Sequence, residues 1–149
     1  MPHRTPSTFD PAKAGWERLP DAGFLDLVGP LWRKRDQRGL AFGFRAEPKH
    51  ANLINVVQGG MLMTFGDRAL GIAAWEAAQT RVCVTIQFDM QFIGAGEIGD
   101  FIEIQPEVIR KTQTLVFLRG MLMVGDRVVS SANGVWKILD RPQPQPQDR

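Results

Sequence analysis

Residues 60–79 contain no proline and little β-branching, and they place apolar groups on nearly every side of a helical projection. Leu62, Phe65, Ala69, Ile72 (or Ala73) and Glu76 keep helical spacing, while Met61, Met63 and Leu70 fill the directions between. A helix that is apolar nearly all round is a buried helix. Other elements must therefore enclose it, and that requirement constrains the rest of the 149-residue chain.

The remainder reads as strands. Segments 25–34 and 40–47 are apolar-rich, and Asp36, Gln37, Arg38 and Gly39 between them predict the turn of an antiparallel hairpin. Four later segments alternate with period two. In the clearest, Val82, Val84, Ile86, Phe88, Met90 and Phe92 fall on one face, with Arg81, Cys83, Thr85, Gln87, Asp89 and Gln91 on the other. That predicts a strand with one dry face. Ile102, Ile104 and Val108 follow, with Pro106 marking an edge or bulge. Next come Thr114, Val116, Leu118, Gly120, Leu122 and Val124, and Gly125-Asp126 turns the chain into 128–139. The expected fold is α+β, a long antiparallel sheet wrapped around one central helix. We expect that domain over 24–140. Residues 1–23 form an irregular lead-in anchored by Trp16 and Leu19, with a short helix over 11–18. The proline and glutamine residues of 141–149 form a disordered tail.

Composition removes several classes of function. Hydrophobic content of 44% and charged content of 23% suit one globular domain with a substantial core. A net charge of +2 makes no case for nucleic acid or an anionic membrane. A single cysteine, Cys83, excludes an internal disulfide and a multi-thiolate zinc site, and two histidines leave little for a histidine-based metal centre, so no metal is expected. The N-terminus lacks a secretory apolar run, and polar residues Gln58, Asp67, Arg68 and Glu76 punctuate the apolar stretch 56–78. The expectation is a cytoplasmic protein without a membrane span. His50, after Pro48 and Lys49, is expected to be exposed and without a catalytic role.

Chemistry centres on the helix. Gly60, Thr64, Asp67 and Gly71 form a narrow stripe, small except for one carboxylate. The plainer reading of Asp67 is a surface residue. However, Phe65, Gly66, Ala69 and Leu70 surround it, and an unpartnered buried carboxylate is costly enough to imply a partner or a task. Gln58-Gly59-Gly60 reads as a tight loop feeding the helix, whose free amides also form an oxyanion site. Thr85 is either a solvated strand residue or a partner for that carboxylate.

Asn52, then 53–57, Gln58-Gly59-Gly60, then 61–66, then Asp67 resembles the motif of hotdog-fold acyl-CoA thioesterases of the phenylacetate-pathway (PaaI-like) type. Those enzymes read Asn, five residues, His-Gly-Gly, six residues, Asp. Val84-Thr85-Ile86-Gln87-Phe88, ending at Phe92-Ile93 and Gly99-Asp100, matches their following strand. The resemblance implies hydrolysis of an acyl-CoA thioester to free acid and CoA. The Gly59 amide polarises the carbonyl, and Asp67 acts as general base or nucleophile. The Thr85 hydroxyl orients the water or the carboxylate. Asn52 and Gln58 line the thioester end, and Gly60 and Arg68 complete the expected substrate-binding set. It further implies a homo-oligomer, a dimer or dimer of dimers, with Asn52, Gln58 and Gly59 of one subunit facing Asp67 and Thr85 of its partner. Coenzyme A enters as part of the substrate, and no separate cofactor is expected.

Gln58 stands where the family has histidine. It donates hydrogen bonds but does not titrate near neutrality. Asn55 stands at a common glycine position and tolerates a left-handed conformation. The glutamine keeps a second reading open, a non-catalytic acyl-CoA-binding or sensing protein. Met63, Phe65, Trp75 and Phe92 are candidate linings for an aromatic or a medium aliphatic acyl group alike.

Overall fold

The computed structural model describes residues 8–79 and 81–144. Its strands are β1 (Glu17–Arg18), β2 (Leu31–Asp36), β3 (Gly39–Arg45), β4 (Arg81–Phe92), β5 (Phe101–Ile104), β6 (Glu107–Lys111), β7 (Leu115–Val124) and β8 (Arg127–Pro142). Helices α1 (Phe24–Val28) and α2 (Gly59–Ala78) and a single 3-10 turn at Pro48–His50 complete the elements of the described residues. One antiparallel sheet takes the order β1-β2-β3-β5-β7-β8-β4, and β6 pairs with β7 beside that path. The strands wrap α2, as the sequence predicts. Phe65, Leu70 and Ala74 of α2 are fully enclosed against Phe42 and Phe44 of β3, Ile102 of β5, Val116 and Leu118 of β7 and Trp136 of β8. Each large side chain buried in this way contributes about 1.5–3 kcal/mol. No helix among the described residues is long and apolar enough to cross a membrane.

Turn chemistry follows the sequence. Asp36 pairs with Gly39, so Gln37 and Arg38 are the hairpin tip, and Val124 pairs with Arg127 around Gly125-Asp126, where Gly125 adopts φ 56°. Three expectations are corrected. The first half of 25–34 is α1, and β2 begins only at Leu31, because Pro30 has no N–H to give a ladder. Residues 11–15 are turns closed by Ala14 N–H to Pro11 O and Trp16 N–H to Pro11 O, ending where Gly15 takes φ 86°. Glu17 and Arg18 then pair with β2. Pro106 separates two strands, β5 and β6, where one was expected.

The lead-in packs closely. Trp16 meets Phe101 edge-on at 5.1 Å and Phe9 meets it at a tilt at 4.9 Å, and Phe101 lies against Gly43, where a Cβ would come within 2.5 Å of its ring. Leu19 enters the core. At the other end β8 continues to Pro142, and Gln143 Nε2 lies within hydrogen-bond reach of the carbonyls of Trp75, Gln79 and Arg81, which closes the end of α2. Residues 1–7 of the lead-in and 145–149 of the tail lie outside the described residues.

The largest correction concerns β4. Strict alternation puts Thr85 and Cys83 opposite Phe88, but the ladder with β8 shifts between Thr85 and Gln87. Cys83 faces Ile138 and Thr85 faces Trp136. After the bulge at Ile86, Phe88 faces Gly134, Met90 faces Ala132 and Phe92 faces Ser130. Directly opposed residues project to the same side of a sheet, so Cys83 and Thr85 join Phe88, Met90 and Phe92 on the helix side. Val84 and Ile86 are exposed instead. Gly66 lets β4 approach α2, since a Cβ there would meet Met90 at 2.9 Å and Phe88 at 3.1 Å.

Candidate active site

The bulge brings two of the expected residues together. Thr85 Oγ1 donates to Asp67 Oδ1 at 2.7 Å, with Asp67 half-buried on α2. One carboxylate oxygen is thereby fixed, which leaves Oδ2 as the more available base.

The glycine loop is built by its own polar groups. Asn52 Oδ1 accepts the N–H groups of Ile54 at 3.0 Å and Val56 at 3.2 Å, and Asn55 adopts φ 63°, the left-handed turn anticipated for it. Val57 N–H donates to Gly96 O and Gln58 N–H to His50 O, each at 2.8 Å. Gln58 caps α2, its Oε1 accepting from Met61 N–H at 3.1 Å, so its Nε2 remains the donor that a ligand would meet. A Cβ on Gly60 would come within 2.6 Å of that Oε1, so glycine at 60 protects the cap. Gly59 opens the helix, and its amide belongs to the first turn, whose N–H groups lie outside the helical ladder. The Phe92 ring faces Gly59, 3.2 Å from where a Cβ would stand.

Arg68 is not brought to this cluster. Its Nε and Nη2 donate to Asp21 Oδ1 at 3.1 and 2.7 Å, on a face about a hundred degrees from Asp67. Asp21 is 6% exposed at its side chain and its second oxygen is buried without a partner, so Arg68 is its counter-charge. Arg68→Ala should lower the unfolding free energy by about 3 kcal/mol, the low end for breaking a buried pair. Denaturant titration reads this loss, and KM for the substrate should stay unchanged. A rise in KM at intact stability would instead make Arg68 a substrate contact.

Among the other candidates, Phe65 is 0% exposed and packs at a tilt on Phe44 at 4.7 Å, so it is core and not pocket lining. Trp75 donates its indole N–H to Cys83 O. Cys83 is buried, and burial pushes its thiol pKa up, away from the reactive thiolate. Outside the expected set, Arg119 of β7 forms a two-point pair with Glu107 of β6 at 2.9 and 3.2 Å, which raises the arginine pKa and lowers that of the glutamate.

His50 is buried where exposure was expected. It is 4% exposed, with Nδ1 accepting Glu47 N–H at 2.9 Å and Nε2 2.6 Å from Val28 O. The available signal was spacing. Glu47 and His50 stand three apart around Pro48, and each side chain meets the other's backbone in a capping box. Asp21 was also missed, since nothing local marks a lead-in aspartate as the partner of a helix arginine.

Residues 54–131 match the model of the thioesterase superfamily. A Pseudomonas aeruginosa protein, PA0474, whose name assigns it an inferred esterase activity, is 34% identical over 116 residues, 76% of this chain and 87% of that one. The chain belongs to the thioesterase superfamily. Its enclosed helix and antiparallel sheet are the hotdog fold, and a similar solved structure is the Escherichia coli PaaI protein from the phenylacetic acid degradation operon. The two agree with a TM-score of 0.70 at 15% identity, over 79% of this chain and 85% of that one. The smu.793 protein of Streptococcus mutans, solved bound to acetyl CoA, agrees with a TM-score of 0.64 at 16% identity, over 70% and 83% of the two chains.

Proposed function

We propose that this thioesterase-superfamily member hydrolyses an acyl- or aryl-CoA thioester, with Asp67 activating the attacking water. The observation that carries the reading is the Asp67–Thr85 hydrogen bond, a carboxylate held on the helix by a hydroxyl that only a bulged strand could supply. The acetyl CoA bound by the Streptococcus mutans relative supports the ligand class.

Gly59 and Asp67 are eight residues apart on one helix, a rise of ~12 Å, so one chain cannot place both on the same carbonyl. The reading therefore requires a second subunit. Among the described residues β4 ends the sheet with its outer edge unpaired, and it carries exposed Val84 and Ile86, suited to pairing with a second copy. In the dimer the partner's Gly59 amide polarises the thioester carbonyl, aided by the positive end of α2. Asp67 Oδ2 takes a proton from water as the oxygen attacks. The tetrahedral intermediate then collapses, breaking the C–S bond, and the proton held on Asp67 passes to the departing sulfur, which releases the free acid and the CoA thiol and restores the carboxylate. Gln58 Nε2 is free to steady the carbonyl or the leaving sulfur. The direct test is release of thiol from a panel of acyl-CoAs, and no release from any of them defeats the proposal.

Phe92, exposed with its ring against Gly59, and Met63, exposed one helical turn on from Gly59, are the proposed lining of the acyl end. Phe92→Ala should shift the ratio of kcat/KM for bulky over short acyl groups by roughly tenfold, the range that hydrophobic pocket changes command. An unaltered ratio across the panel would remove Phe92 from the acyl end. The second reading, binding without turnover, draws on the non-titrating Gln58. Calorimetry showing tight acyl-CoA binding alongside zero thiol release would favour it.

A further inference from the structure

We infer that His50 is a positioning residue for the reaction proposed above, holding the Gly59 amide in the orientation that an oxyanion requires. The inference rests on that reading of Gly59 and goes beyond it. Because Glu47 N–H can only donate, His50 Nδ1 must be an unprotonated acceptor at 2.9 Å. The ring proton therefore sits on Nε2, which donates to Val28 O at 2.6 Å. Geometry alone selects this neutral tautomer.

The ring is wedged as well as bonded. It meets Phe44 edge-on at 5.4 Å, and Phe44 in turn packs on Phe65 of α2 at 4.7 Å. Lys49 Nζ adds a neighbouring tie to Gly29 O, so two consecutive residues fasten this loop to the turn before β2. The main chain of His50 then acts on the site. Its carbonyl accepts Gln58 N–H at 2.8 Å, and Gln58 Oε1 accepts from Met61 N–H. The Gly59 N–H lies in the peptide unit that joins Gln58 to Gly59. With Gln58 held at its amide by His50 and at its side chain by the helix, that peptide has little freedom to turn. An oxyanion donor is effective only when pre-aligned, and a displacement near 1 Å costs on the order of a hundredfold in rate.

Three substitutions separate the contributions. His50→Asn keeps an acceptor near the Nδ1 position, His50→Gln keeps a donor near the Nε2 position, and His50→Phe keeps the ring and neither hydrogen bond. In His50→Phe, kcat on an acyl-CoA hydrolysed by the wild type should fall by roughly 10–100-fold with KM within about twofold. The Asn and Gln variants should each recover part of the loss. Circular dichroism confirms folding before each assay, and if the Phe variant does not fold, the Asn and Gln variants carry the test. Folded variants with wild-type kcat, or with kcat and active fraction falling in proportion, overturn the inference and leave the thioesterase reading standing. Amide hydrogen exchange over 51–60 supplies a readout independent of turnover. It should accelerate in His50→Phe and less so in the other two, and unchanged protection overturns the inference even if the wild type releases no thiol at all.

Discussion

Asp67→Asn should lower kcat for acyl-CoA hydrolysis by about 10²–10⁴-fold, the contribution of a positioned general base. The substitution is close to isosteric, and the amide oxygen still accepts the Thr85 hydroxyl that now bonds Oδ1 at 2.7 Å. Stability and assembly should therefore be retained, and the loss should fall on the chemical step with KM little changed. What disappears is the second oxygen's capacity to take a proton. Thiol-release kinetics beside a denaturation curve separate these effects. A folded Asp67→Asn protein that keeps a tenth or more of its turnover would mean that this carboxylate is not the base.

Mixing two inactive proteins should restore activity. Gly59→Val places a side chain against the Phe92 ring, 3.2 Å from the built Cβ, and crowds the amide that the carbonyl must reach. Alone it should be nearly inactive, as should Asp67→Asn. If each site draws Gly59 from one subunit and Asp67 from the other, a heterodimer holds one site with both lesions and one with neither. Unfolded together and refolded in equal amounts, the two should regain about a quarter of wild-type activity, since half the dimers are mixed and each has one intact site. Recovery no greater than the sum of the separate proteins would place both residues in one subunit's site or in none, against the ~12 Å rise between them.

The enclosed helix was legible because its apolar groups occupy every direction, and Phe65, Leu70 and Ala74 are indeed fully buried. The Asp36–Gly39 turn was legible from its residue types alone. The facing of Thr85 was not. A bulge depends on how two strands align, and the alternation of 81–92 continues through Ile86 without a break, so the strand's own residues carry no trace of the register shift. His50 was misplaced for a related reason. Its polar neighbours Pro48 and Lys49 suggested solvent, whereas its two hydrogen-bond partners and Phe44 supply a buried niche that only the tertiary fold assembles. Asp67 and Gly59 were identifiable as a motif, and the ~12 Å rise between them along α2 is what leads the proposed mechanism to a second chain.

Asp67 and Arg68 are adjacent, yet one is moored to β4 through Thr85 and the other to the lead-in through Asp21. Together these moorings act as opposed stays that resist rolling of α2 about its long axis. On the proposed mechanism, the lead-in, anchored by Trp16 and Leu19, would thereby help set the angle at which the carboxylate meets a substrate. Amino-acid changes in that segment are a route to retuning turnover mechanically, with every residue that touches the thioester left as it is.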